Sequence, residues 1–262
     1  MIRRLVLASA LLATQFAWAQ IPYRLSMRTD GLTYGTNAAL LGWNAYAASQ
    51  HRGFSEFELA TLGLPQAVGW DRVALNRWDE AAGHRSDYAL FAAFGTAGLT
   101  ALAHTHADRR FGDAVVLGSM WFQTNLSTLM LTDAVKNSVR RNRPFVYYDG
   151  APLAERMEAD ARKSFFSGHA SLTACNTFFA AKVWSDMHPD SRWAPVVWSA
   201  AALVPAYVAW QRVEAGKHYP SDVVVGTVVG AAVGYLIPSI HLDRRPSESG
   251  PRGALAQSKR GL

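Results

Sequence analysis

Three short clusters in this sequence hold the side chain types needed to grip an oxyanion and attack its central atom. The first is Lys136-Asn-Ser-Val-Arg-Arg-Asn-Arg143-Pro144. Lys136 and Arg143 stand seven residues apart, two helical turns, which predicts that both lie on one helix face. Pro144 closes that helix, so the stacked cations end where the chain opens into a loop. Arg binds an oxyanion with a bidentate fork and Lys as a point charge. Taken alone, the segment also reads as the basic flank of a membrane helix.

The second cluster, Ser164-Phe-Phe-Ser167-Gly168-His169, immediately precedes a long apolar run, as a helix N-terminus does. Free N–H groups and a partial positive charge make such an end a phosphate site. Gly168 lets the backbone come close, Ser167 has a hydroxyl to donate, and His169 stands beside the bound group. An ordinary cap followed by a satisfied histidine is the competing reading. The third cluster is Arg212-Val-Glu-Ala-Gly-Lys-His218-Tyr-Pro220-Ser-Asp222. Pro220 suits the first turn of a new helix, and Asp222 in that turn can reach back to the His218 ring. A carboxylate on one ring nitrogen fixes the tautomer and frees the other as a nucleophile. A capped helix start with an incidental histidine fits the same residues.

In this order and spacing the three clusters resemble the signature of the type-2 phosphatidic acid phosphatase superfamily. That superfamily includes membrane lipid phosphatases, soluble bacterial class A acid phosphatases and vanadium haloperoxidases. Lys136, Arg143, Pro144, Ser167, Gly168, His169, Arg212, His218 and Asp222 match its pattern. Two positions depart: Phe166 stands where the family has proline, and Gln211 where it has serine. Neither position carries chemistry in the family, although the missing proline is expected to loosen the loop before the helix. The resemblance implies that His218 is the nucleophile, forming a phosphohistidine, with Asp222 orienting it. It makes His169 the general acid and then the base for water, and Lys136, Arg143, Arg212, Ser167 and Gly168 the phosphate cradle. Three fixed cations take the place of a metal, so no metal or other cofactor is expected.

Positioning these residues requires a rigid scaffold. Stretches without Asp, Glu, Lys or Arg run Gly31–His51, Tyr88–Ala107, Ala114–Thr132, Ser164–Ala181, Trp193–Gln211 and Val223–Leu242. Their length predicts an all-α helical bundle of about six helices, and small residues such as Gly226, Gly230 and Gly234 suit close helix packing. Each matches the hydrocarbon thickness of a bilayer, so a membrane-embedded bundle is expected, with a soluble periplasmic bundle as the rival. If Gly31–His51 stays outside the membrane, helix parity places Lys136–Ser164 and Arg212–Asp222 outside as well. The Arg109–Arg110 turn and the basic tail then lie inside.

Residues 1–19 resemble an export signal, with Arg3 and Arg4, an apolar stretch from Leu5 to Phe16, and Ala17-Trp18-Ala19 as a cleavage site. The chain then divides into a bundle over 20–242 and a basic tail over 243–262, whose Gly, Ser and Pro content predicts disorder. The address is the bacterial cell envelope, at the inner membrane with the site facing the periplasm. Net charge is +6 with a pI near 9.6, which favours anionic partners. The lone Cys175 excludes an intrachain disulfide. The expected partner is a phosphorylated lipid or a small phosphate ester, with no nucleic acid and no obligate protein partner. A non-enzymatic lipid-binding membrane protein is the alternative, and the chain is short for a haloperoxidase. His104 and His106 read as an interfacial turn rather than a metal pair. Asp133 is a candidate to steady Lys136, and Asp71–Asp87 a candidate cover for the pocket.

Overall fold

Each of the charge-free stretches becomes one long helix in the computed structural model, which describes residues 21–63, 65, 67–108 and 111–243. The long helices are α1 Met27–Ser49, α3 Glu80–Asp108, α4 Phe111–Val139, α6 Gly168–Met187, α7 Ala194–Glu214 and α8 Pro220–His241. Two short helices, α2 Glu56–Ala60 and α5 Leu153–Met157, lie in the connections, with 3-10 turns at Gly69–Ala74, Pro144–Tyr147 and Ala159–Arg162. The predicted export signal, the side chains of His104 and His106, Arg109–Arg110 and the tail beyond Asp243 fall outside the described residues.

The bundle distributes polarity in reverse of a water-soluble domain. Asn37, Asn44, Gln123, Thr124, Thr128, Asn137, Thr173 and Asn176 are buried. Several of them bond across helices: Asn44 donates to the Met130 carbonyl at 3.0 Å, and Asn176 Oδ1 accepts from Trp121 Nε1 at 2.8 Å. Leu32, Trp43, Phe91, Leu99, Leu203, Trp210, Val228 and Leu236 face outward. This explains a mean hydropathy near zero, because the polar residues in the average point inward. Among the described helices only α8 is long and apolar enough by composition to cross a membrane.

At the centre, α8 lies backbone to backbone on α6. A Cβ at Gly226, Gly230 or Gly234 would fall 2.6, 2.0 and 2.3 Å from the carbonyl oxygens of Ser167, Ser171 and Cys175. No side chain fits in that gap, so the glycines set the separation of the two helices.

Chain direction brings the ends of α1, α4 and α7 and the starts of α3, α6 and α8 to one end of the bundle. All short helices and turns gather there. At the other end, Arg24 N–H donates to the His241 carbonyl at 2.8 Å and Asp243 N–H to the Pro22 carbonyl at 2.8 Å. Helix α1 therefore runs the full length of the bundle, and Gly31–His51 does not stay on one side. The parity argument loses its premise, because residue 21 and the three motif clusters sit at opposite ends.

Candidate active site

Helix α4 stops at Val139, five residues before Pro144, because Arg140 adopts φ +52° and turns the chain out of the helix. Lys136 and Arg143 consequently do not share a helix face. Arg143 is extended, with φ −72° and ψ 152°, and its guanidinium returns to the site from the loop. It is almost wholly buried. Its Nε donates to the Asp160 carbonyl at 3.0 Å, Nη2 to Asp160 Oδ2 at 2.6 Å, and Nη1 to the Lys217 carbonyl at 3.1 Å. These bonds fix the plane of the fork.

His218 sits in the loop between α7 and α8, fully buried. Its Nδ1 lies 2.8 Å from the Ser164 carbonyl oxygen, which can only accept, so Nδ1 carries the proton. Nε2 is left with its lone pair, 3.4 Å from Arg143 Nη1. Burial first, then Arg143, Arg212, Lys136 and His169, push the His218 pKa well below the usual imidazole value. The ring is thus a free base at neutral and mildly acid pH.

Asp222, in the first turn of α8, approaches His218 Nδ1 to 3.6 Å, too long for a hydrogen bond. The sequence reading is corrected here: the Ser164 carbonyl, not Asp222, accepts the ring N–H. Asp222 Oδ2 takes the Ser164 hydroxyl at 2.5 Å and the Tyr219 N–H at 2.9 Å, and Oδ1 takes Arg141 Nη1 at 2.6 Å. Arg141 also reaches Asp71 Oδ2 at 2.8 Å, and Asp71 Oδ1 accepts the Ser221 N–H at 2.9 Å. Burial opposes ionisation of Asp71, yet Arg141 and Ser221 hold its pKa below the usual carboxylate range. Removing Arg141 would strand two buried carboxylates, at a cost of about 3–5 kcal/mol.

His169, at the start of α6, places Nε2 2.7 Å from Asp87 Oδ1 on α3. Lys136 Nζ lies 3.7 Å from the point where a Cβ on Gly168 would stand, so ammonium and helix start converge. Arg212 is buried, gives Nη1 to Ser86 Oγ at 3.3 Å, and its Nε finds no partner among the described residues. Burial raises the pKa of Asp160, but Arg143, then Lys136 and Arg212, hold it below the carboxylate range. Arg143, Arg212, Asp87 and Asp160 line one cavity of about 200 Å³.

Ser167 caps α6, a role that uses its oxygen as acceptor and not its hydroxyl proton. It is buried, its Oγ accepts from Ala170 N–H at 3.4 Å, and its own N–H donates to the Asp222 carbonyl at 3.0 Å. The loop before it is anchored despite the missing proline: Phe166 is buried, and Ser164 N–H donates to the Arg141 carbonyl at 2.8 Å. Gln211, the other departure, accepts from Arg85 Nε at 2.7 Å. The segment suspected of covering the pocket does line its mouth, through Trp78, Asp79, Gly83 and His84. Asp133 lies near enough to Lys136 to act on it electrostatically. Asp87 and Asp160 lie outside the three clusters, and Arg141 and Ser164, although inside them, carried no assigned role in the sequence reading.

Asp87 lines the cavity and holds His169 through its Nε2, so Asp87→Asn should lower kcat for a phosphate ester about tenfold or more. KM should hardly change, because the cations that bind phosphate remain. A steady-state comparison of the two parameters checks this; a change confined to KM would contradict it.

Comparison with known proteins places these residues in a recognised context. The model of the family described as the PAP2 superfamily matches residues 117–246. The chain is 34% identical over 106 residues to decaprenylphosphoryl-5-phosphoribose phosphatase of Mycobacterium tuberculosis, covering 40% of this chain and 51% of that protein. It is 32% identical over 117 residues to lipid A 1-phosphatase of Rhizobium johnstonii, covering 44% of each. The matched part spans about half the length of these curated relatives, or less. A crystal structure of a transmembrane PAP2 type phosphatidylglycerolphosphate phosphatase from Bacillus subtilis shares the fold, with a TM-score of 0.51 at 18% identity. That likeness covers 80% of this chain and 98% of the other.

Proposed function

The chain belongs to the PAP2 superfamily, and we propose that it is a phosphatase acting on lipid-like phosphate esters through a phosphohistidine. The observation that carries this reading is the His218 ring, locked through Nδ1 on the Ser164 carbonyl with Nε2 beside Arg143. Nε2 attacks phosphorus in line with the leaving oxygen. Lys136, Arg143 and Arg212 draw charge onto the equatorial oxygens, where they are worth more in the transition state than in the ground state. His169 gives its proton to the departing alkoxide, forming the alcohol. It then takes a proton from water, whose oxygen attacks phosphorus, breaks the P–N bond and releases inorganic phosphate.

The lipid character of the substrate rests on the scaffold. The outward apolar faces and buried polar network suit a bundle embedded in a bilayer, with the site at one end near the headgroups. The relatives named above act on phosphorylated lipids by their names, which agrees. We place the site on the periplasmic face of the inner membrane. The chain following His241, at the opposite end, carries Arg244, Arg245, Arg252, Lys259 and Arg260, as the positive-inside rule asks of a cytoplasmic end.

The test is phosphate release from purified protein in detergent, offered phosphatidate, a polyprenyl diphosphate and a soluble ester. Lipid phosphates should be preferred, and turnover should persist in excess EDTA and fall with vanadate. An EDTA-inactivated enzyme restored by Mg²⁺, or no release from any ester, would refute the proposal.

A further inference from the structure

Outside the catalytic cavity, a second basic pocket opens where α1 ends against α4. It is lined by Gln50, His51, Arg52, Arg140 and Arg162, with a volume of about 150 Å³. That is room for about five waters or one tetrahedral oxyanion. Three guanidinium groups share the pocket, and two of them meet one carboxylate, Glu58. Its Oε1 accepts from Arg52 Nη2 at 3.0 Å and from Arg162 Nη2 at 3.1 Å, so both cations are held in place while excess positive charge remains. The Arg162 guanidinium is further fixed by stacking 3.6 Å over the Phe54 ring.

The donors in this pocket are not used up by the protein. Arg162 Nε is buried from solvent with no partner among the described residues. His51 gives its ring N–H to the Asn137 carbonyl, so its Nε2 keeps a lone pair and donates nothing. Arg140 gives only Nε to the protein, at 3.3 Å to the Asn137 carbonyl. Its backbone is held at φ +52°, a conformation that a bulky residue adopts at a cost. A left-handed residue ending α4 swings the Arg140 side chain away from Lys136, one turn or about 6 Å further along the helix. Burial and the nearby Lys163, Arg140 and Arg162 all lower the His51 pKa, as expected of a ring surrounded by uncompensated cations.

We propose that this pocket is a second phosphate-binding site, separate from the catalytic cradle, built by Arg140, Arg162 and Arg52. Its ligand is a phosphate group, borne either by an anionic phospholipid of the surrounding membrane or by free inorganic phosphate. Bidentate contact by Arg140 and Arg162 would satisfy the unpartnered donors and offset the excess charge.

Equilibrium binding of radiolabelled orthophosphate to the full chain in neutral detergent tests the proposal without relying on turnover. The wild-type protein should bind two equivalents. Lys136→Gln should remove one, the catalytic equivalent. Arg140→Asn should weaken the other about tenfold or more and leave hydrolysis of a soluble ester unchanged. Asn tolerates the left-handed conformation, so the helix end should survive, and Arg162→Gln provides a second variant that leaves that turn untouched. Repeating the titration with phosphatidylglycerol or phosphatidylcholine in the micelles separates the sources. Displacement of the Arg140-dependent equivalent by phosphatidylglycerol alone assigns the site to a lipid headgroup, and no displacement assigns it to free phosphate. A single equivalent in the wild type, or a second one indifferent to both arginine variants, would overturn the proposal. Failure of the Lys136→Gln arm alone would count against the catalytic reading instead.

Discussion

His218→Ala is expected to abolish turnover by at least about 10⁴-fold and to remove any acid-trapped phosphoenzyme. The variant keeps Arg143, Arg212 and Lys136, so binding of orthophosphate or vanadate at the cradle should remain within a few-fold of wild type. A nucleophile makes its bond only in the transition state, which is why the loss falls on kcat. Trapping labelled enzyme during turnover, then finding phosphoserine or an undiminished phosphoenzyme in the variant, would remove His218 from its role. The wild-type pH profile follows from the same ring. A nucleophilic imidazole must be unprotonated, and the cations around His218 push its pKa well below 6.5. The acid limb of kcat/KM should therefore lie below the pH at which an ordinary histidine protonates.

His169→Ala should show a different pattern. Loss of a general acid costs about 10²–10⁴-fold when the leaving group is a simple alkoxide, which cannot depart without a proton. An aryl phosphate with an acidic leaving group needs little such help, so the first step on that substrate should be nearly spared. Phosphoenzyme should then accumulate, because His169 is also the base that activates water in the second step. Burst kinetics with an aryl phosphate, set beside steady-state rates on an alkyl phosphate, distinguish the two functions. Equal losses on both substrates with no burst would show that His169 acts only on phosphate binding.

Much of the scaffold was legible because long stretches without charge can hardly be anything but helices, and all six became one each. The direction in which their polar residues point was not legible. Asn44 and Asn176 look like interruptions of an apolar pattern, and only the packed bundle shows each bonded to α4, Asn44 to the Met130 carbonyl and Asn176 to Asn125. The cradle was legible through spacing, since Lys136, Arg143, His169, Arg212 and His218 carry the family pattern. The path by which Arg143 enters was misjudged, because nothing in the sequence marks Arg140 as left-handed. Asp87 and Asp160 were invisible for a simpler reason. Each acts on a partner far away in the chain or in another loop, and a single carboxylate has no spacing to read. Arg141 was concealed among its neighbours in a basic run, although its two buried carboxylate partners set it apart from a solvated charge.

The glycine seam between α6 and α8 has a bearing on how such an enzyme can diversify. His169 lies in the first turn of one of these helices and His218 two residues before the other, so the span between the proposed acid and nucleophile is gauged by main chain pressed on main chain. Side chains elsewhere in the bundle can be exchanged to suit a new lipid tail or headgroup without retuning that gauge. The reacting pair is insulated from the variation around it.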